Sequence, residues 1–117
     1  MKIYDPIRRG RISLVICLLW FSALASHAGT AYYVATNGPG GNFLSWGQAA
    51  SNIQQAIDVT VDGDVVYVSN GVYAVGGVAN YPAGSLLTNR VAITKAITVQ
   101  SFNNDPTNTI IKGARDP

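Results

Sequence analysis

Apolar and polar positions change rhythm several times along the chain, and each change predicts a different element. Ile12 to Ala25 is an almost unbroken apolar run of about fourteen residues. Ala31 to Thr36 (AYYVAT) carries the β-formers Tyr32, Tyr33 and Val34 and predicts an opening strand. Asn37-Gly38-Pro39-Gly40-Gly41-Asn42 ends it, because glycine and proline favour turn geometry over continued pairing. The rhythm then becomes helical. Trp46, Ala49, Ala50, Ile53, Ala56 and Ile57 recur on one face, with Asn52, Gln54, Gln55 and Asp58 opposite. Ser45 and Gln48 stand at capping-box spacing, so the expectation is one amphipathic helix of about three turns from Ser45 to Asp58.

Strand rhythm returns after a turn at Asp62-Gly63. Asp64 to Ser69 (DVVYVS) predicts a strand, Asn70-Gly71 a second turn, and Val72-Tyr73 a further short strand. Ala74 to Ser85 is rich in Gly, Ala and Val, contains Tyr81-Pro82, and reads as an irregular surface excursion. Three more strands are expected at Arg90 to Ile93, Ala96 to Ser101 and Thr109 to Gly113, with Asn103-Asn104-Asp105-Pro106 turning between the last two. Short strands at close, uneven intervals fit either a β-sandwich or the coils of a β-solenoid.

Composition changes the picture once the two ends are separated. The 117 residues carry a formal charge of +2, but Lys2, Arg8, Arg9 and Arg11 all precede the apolar run, and Ser26-His27-Ala28-Gly29 follows it. A basic head, a short apolar stretch and a small-x-small site predict a secretory signal peptide over residues 1–28, cleaved after Ala28, with Ala25 as the alternative. The run falls short of the roughly 20 residues of a membrane span, which disfavours an uncleaved anchor. Gly10 and Arg11 after Arg8-Arg9 favour the general export route over a twin-arginine route. Cys17 sits inside the run as an apolar filler rather than at a lipidation site.

Cleavage leaves residues 29–117 without His, Cys, Met or Glu. Their charges are Asp58, Asp62, Asp64, Asp105 and Asp116 against Arg90, Lys95, Lys112 and Arg115, so the mature chain is slightly acidic and nucleic-acid binding loses its main support. A Ser/His/Asp triad, a thiol nucleophile and an ordinary zinc site each need a residue type that is missing. The GPGG loop lacks the P-loop lysine and the Rossmann spacing, which argues against phosphate binding.

The succession YYVATNG, SWGQAASNIQQAID, DGDVVYVSNGVY, LTNRVAITKAITVQSF and TIIKGA resembles the N-terminal cap and first coils of secreted bacterial right-handed parallel β-helix proteins, the pectate-lyase-like superfamily. The likeness spans about residues 31–114. It implies an all-β fold, the start of a right-handed parallel β-helix, with residues 45–58 as a capping α-helix and residues 29–117 as cap and first coils. Each coil buries its inward row only by stacking on the next. Trp46, Ile53 and Ile57 are expected to cover the end. Val66, Val68, Val91, Ile93, Ile97, Val99, Ile110 and Ile111 are expected to point inward, with Tyr67 or Tyr73 near corners. An immunoglobulin-like sandwich is the rival, and it explains the early helix poorly. Because such proteins continue for many coils, the resemblance also implies a truncated N-terminal portion whose open end invites self-association.

For function, the resemblance implies a protein that binds or acts on polysaccharide as a lyase or hydrolase, with a Lys or Arg base and calcium, or several Asp, on middle coils. The catalytic residues therefore remain unknown. Arg90 and Lys95 are formal candidates for a Brønsted base, although solvated edge charges are the simpler reading. Asp62 and Asp64, with Asp58 nearby, supply too few oxygens for Ca²⁺, which takes about six to eight. The loop NGPGGNF lacks the carboxylates that related proteins often carry. No cofactor is expected, with Ca²⁺ reserved for a longer form. Tyr32, Tyr33, Tyr73, Tyr81 and Trp46 are candidates for stacking on sugar rings, against core or corner packing for most of them. The alternative is a surface-exposed structural or adhesion solenoid without catalysis. An enzyme complete in 89 residues is disfavoured by the sparse acid/base inventory. Export is tested by N-terminal sequencing of the product recovered outside the cell: Gly29 as first residue is expected, and an intact Met1 contradicts the export reading.

Overall fold

The computed structural model describes residues 28–113. Residues 1–27 of the proposed signal peptide, with Cys17 and His27, lie outside the described residues, as do Arg115 and Asp116. Among the described residues no helix is long and apolar enough to cross a membrane.

The described residues are mostly strand and coil, with one short α-helix and three small open sheets. Strands β1 (Ala31–Val34), β2 (Val65–Val68) and β6 (Thr98–Ser101) form one sheet, in that order. Both pairings are parallel, so each return of the chain lays a new strand beside the previous one in the same direction. A second parallel pair joins β3 (Gly71–Tyr73) to β7 (Thr109–Ile111). Parallel stacking of this kind excludes the antiparallel immunoglobulin-like sandwich for the described residues.

Register decides which side chains are buried, because successive residues of a strand face opposite sides. Tyr32 lies opposite Val66, which lies opposite Val99; Val34 lies opposite Val68, which lies opposite Ser101. This inner row packs against the helix α1 (Ile53–Val59), and Val34, Val66, Val68, Ile53, Ala56, Ile57 and Tyr73 form the core. Each fully buried Val or Ile contributes on the order of 2 kcal/mol. Tyr33 and Tyr67, paired across β1 and β2, occupy the outer row with Gln100.

The expected three-turn helix is divided. Trp46–Gln48 is a single 3₁₀ turn, Ala49 then becomes extended (φ −64°, ψ 150°), and α1 begins only at Ile53. Ser45 makes no side-chain cap; the cap is Asn52, whose carboxamide accepts from the Gln55 amide at 3.0 Å. Two forces favour the break. Gly47 costs about 1 kcal/mol in a helix interior. The extended Ala50 also pairs with β1: its N–H donates to Tyr33 O and its carbonyl accepts from the Ala35 amide, both at 2.9 Å. With Tyr33 N–H donating to Phe43 O at 2.8 Å, residues 43–50 cover the outer edge of β1. Gly38 fits against this segment only without a side chain, since a Cβ would lie 2.4 Å from Ala50 O. The opposite edge, on β6, pairs with no other strand among the described residues.

Further expectations are corrected. Arg90 to Ile93 is not a strand; it is held by Gln54, whose buried carboxamide accepts from Ala92 N–H at 2.8 Å and donates to Ala92 O at 3.3 Å. A side-chain amide here does the work of a neighbouring strand, which leaves Ala92 buried and Ile93 exposed. The excursion of residues 74–85 contains β4 (Val78–Ala79), paired antiparallel with β5 (Thr88–Asn89), and a cis Tyr81–Pro82 bond. In β7 Thr109 and Ile111 share the inward side of Tyr73, and Ile111 stays half-exposed; Ile110, expected inward, faces out with Val72. Val91, Ile97 and Val99 pack against the core as expected.

Tyr73 ties the second sheet to the first. Its hydroxyl lies 2.9 Å from Ser69 O, 3.3 Å from Val34 O and 3.1 Å from Ser69 Oγ. Burial raises its pKa above the usual phenol value, partly offset by the Ser69 hydroxyl. Because the folded value is the higher one, this contribution is complete below pH ~10 and is lost as pH rises through the folded value. Tyr73→Phe is expected to lose about 1 kcal/mol at neutral pH and to flatten the alkaline decline. Urea melts at stepped pH check this, and an unchanged alkaline decline in the variant refutes it.

Candidate functional site

The outer row of the parallel sheet carries the one grouping of aromatic rings that pack on one another among the described residues. Tyr33 and Tyr67, adjacent in register, have ring centroids 5.9 Å apart. Trp46 meets Tyr33 edge-on at 4.7 Å, Phe102 meets Trp46 at 5.0 Å, and Tyr67 meets Phe102 at 5.9 Å, which closes a ring of four. Edge-to-face geometry is favoured because the positive ring edge meets the negative ring face. Tyr33 and Tyr67 are half-buried and form the floor, whereas Trp46 is 38% and Phe102 51% exposed.

Each ring is placed by a backbone feature. The two tyrosines stand at the outward position of their strands, one residue before the buried Val34 and Val68. Phe102 follows β6 directly, and its N–H donates to Val68 O at 2.9 Å, which extends the ladder one residue past the strand. Trp46 is projected by the 3₁₀ turn. Phe43 closes that loop by donating its N–H to Gln48 O at 3.1 Å, with φ at +62°. A left-handed conformation costs a non-glycine residue roughly 1–2 kcal/mol. The Phe43 ring offsets that cost by packing against the core. The Trp46 loop is thus anchored by backbone bonds to β1 and by a partly buried side chain.

The other candidate residues are occupied elsewhere. Lys95 Nζ donates to Ile57 O at 2.9 Å, Asp58 O at 3.0 Å and Thr60 O at 2.6 Å, so it caps the C-terminal carbonyls of α1. Arg90 donates from Nε to Lys112 O at 3.0 Å and from Nη1 to Gly76 O. Both are surface charges whose donors are engaged by backbone carbonyls. Asp64 accepts from the Thr30 and Val61 amides, both at 2.8 Å, and Asp62 accepts from the Ala96 amide at 2.9 Å. Asp58 accepts from Gln54 Nε2 at 2.8 Å. These carboxylates do not converge, and no group of three metal-ligating side chains occurs among the described residues. In the GPGG loop two amides are bonded within the chain: Gly38 N–H donates to Ala35 O and Gly40 N–H to Ala49 O.

Of the proposed stacking residues, Tyr33 and Trp46 come together. Tyr32 faces inward against the core, Tyr73 is buried, and Tyr81 stands apart on the excursion. Tyr67 and Phe102 were not foreseen as members. A signal for Tyr67 exists in the matching Tyr-Val ends of the two strands, Tyr33-Val34 and Tyr67-Val68.

A second feature lies on the inner side. An open apolar hollow of about 210 Å³ is lined by Ile53, Val68, Val99, Gln100, Ser101, Pro106, Thr109 and Ile111. It lies where the inward row of β6 and β7 has no further row against it. The turn beside it is stiffened by Asp105, which accepts from Thr107 N–H at 2.9 Å and from Thr107 Oγ1 at 2.6 Å. Those hydrogen bonds, with one from Asn108, hold the Asp105 carboxyl below the usual carboxylate range.

No protein-family model, no curated protein and no solved structure matches this chain.

Proposed function

We propose that the chain is the cap and first coils of an exported right-handed parallel β-helix protein that binds polysaccharide, and that the described residues serve binding rather than catalysis. The observation that carries the binding role is the four-ring outer face of Tyr33, Trp46, Tyr67 and Phe102. Aromatic rings present flat apolar area at low entropic cost, which suits the C–H face of a pyranose ring. The β-helix part of the reading is supported by the parallel stacking of β1, β2 and β6, by the second stack of β3 and β7, and by the covering of one sheet edge by residues 43–50. The non-catalytic part is supported by the commitment of Arg90, Lys95, Asp58, Asp62 and Asp64 to backbone or amide partners.

A second reading, a structural or adhesion solenoid, is favoured by the edge of β6 that no strand among the described residues covers and by the apolar hollow beside it. Both would be covered by a further coil or by a second copy in self-association. One experiment separates the two readings. Retention of the exported protein on insoluble polysaccharide columns is expected, and Trp46→Ala is expected to weaken it about five- to tenfold, the loss of one aromatic contact. Circular dichroism should be unchanged, since Trp46 is partly exposed. Retention equal in wild type and variant, or no retention with sedimentation showing ordered assembly, refutes the binding role and favours the structural one.

A further inference from the structure

We propose that the aromatic face selects neutral glycans, with chains of β-linked pyranoses bearing equatorial hydroxyls as the preferred class, over acidic uronate chains. This rests on the glycan-binding reading and adds the chemistry of the ligand.

The inference follows from what surrounds the rings. The outward residue next to Tyr67 on β6 is Gln100, and the residue after Phe102 is Asn103, whose amide donates to Asn70 Oδ1 at 3.3 Å. Gln48 closes the 3₁₀ turn that carries Trp46. All four are exposed. Carboxamides both donate and accept, as sugar hydroxyls do, and they carry no formal charge. An anionic sugar would need a cation to offset the loss of solvation at its carboxylate.

Of the three described cations, Lys95 and Arg90 are bonded elsewhere, and Lys112 directly follows β7 in the second stack. Lys95 is fixed to the C-terminal carbonyls of α1, which packs on the inner side of the sheet. Arg90 spans Gly76 and Lys112, beyond the ends of β3 and β7, and Lys112 itself donates its backbone amide to Tyr73 O in that second stack. Pyranoses with equatorial hydroxyls direct their C–H bonds to the ring faces, which match Trp46 and Phe102, while their peripheral hydroxyls reach the amide rim.

The test is calorimetric titration of the full exported chain with cellohexaose, xylohexaose and hexagalacturonate, repeated with Trp46→Ala and Phe102→Ala. The neutral oligosaccharides are expected to bind at least ~tenfold more tightly than hexagalacturonate, and each variant is expected to weaken that binding about five- to tenfold. Equal or tighter binding of hexagalacturonate, lost in the same variants, overturns the neutral selection and leaves the glycan-binding face standing. Failure of all three to bind, or binding that survives both substitutions, overturns both.

Discussion

The register of β1, β2 and β6 is the constraint on which the rest of the molecule depends. Because side chains alternate across a strand, one alignment sets both faces of the sheet. Placing Val34 opposite Val68 closes the apolar row beneath α1, and the same alignment places Tyr33 beside Tyr67 on the outside. A slip of one residue would expose the valines and bury the tyrosine hydroxyls without partners. The core therefore enforces the aromatic face, and the two cannot be selected independently.

Around that register the polar groups are spent on structure. The described residues leave no buried side-chain nitrogen or oxygen without a hydrogen-bond partner. Gln54 substitutes for a strand at Ala92, Asp64 fastens the approach to β1 at Thr30, and Lys95 neutralises the exposed carbonyls of a helix of only seven residues. A helix this short has little stability of its own, and the burial of Ile53, Ala56 and Ile57 supplies most of what holds it. Such economy is consistent with a chain that carries few charges and uses most of them as fasteners.

Local signals carried much of the fold. The β-branched and aromatic runs at residues 31–34, 65–68, 98–101 and 109–111 were legible as strands, and Asp62-Gly63 and Asn70-Gly71 as turns. The helix was misread at its start because Ala49 and Ala50 suit helix and strand alike, and the partner that draws Ala50 into extended pairing is β1, distant in sequence. Arg90 to Ile93 was misread because its partner is a side chain rather than a strand. Parallel pairing was expected only through the resemblance. At the site, Trp46 and Tyr33 were legible as candidates, but Tyr67 and Phe102 join them through register between separate returns of the chain, which no local pattern reports.

The most direct test of the shared register is a set of proton–proton nuclear Overhauser contacts among the aromatic rings. Expected are contacts from Tyr33 to Tyr67, from Tyr67 to Phe102 and from Tyr33 to Trp46, with Tyr32 in contact with the methyls of the valine core. A Tyr32 to Tyr67 contact without one from Tyr33, or the cross-strand pattern of antiparallel pairing between residues 31–34 and 65–68, would contradict the account.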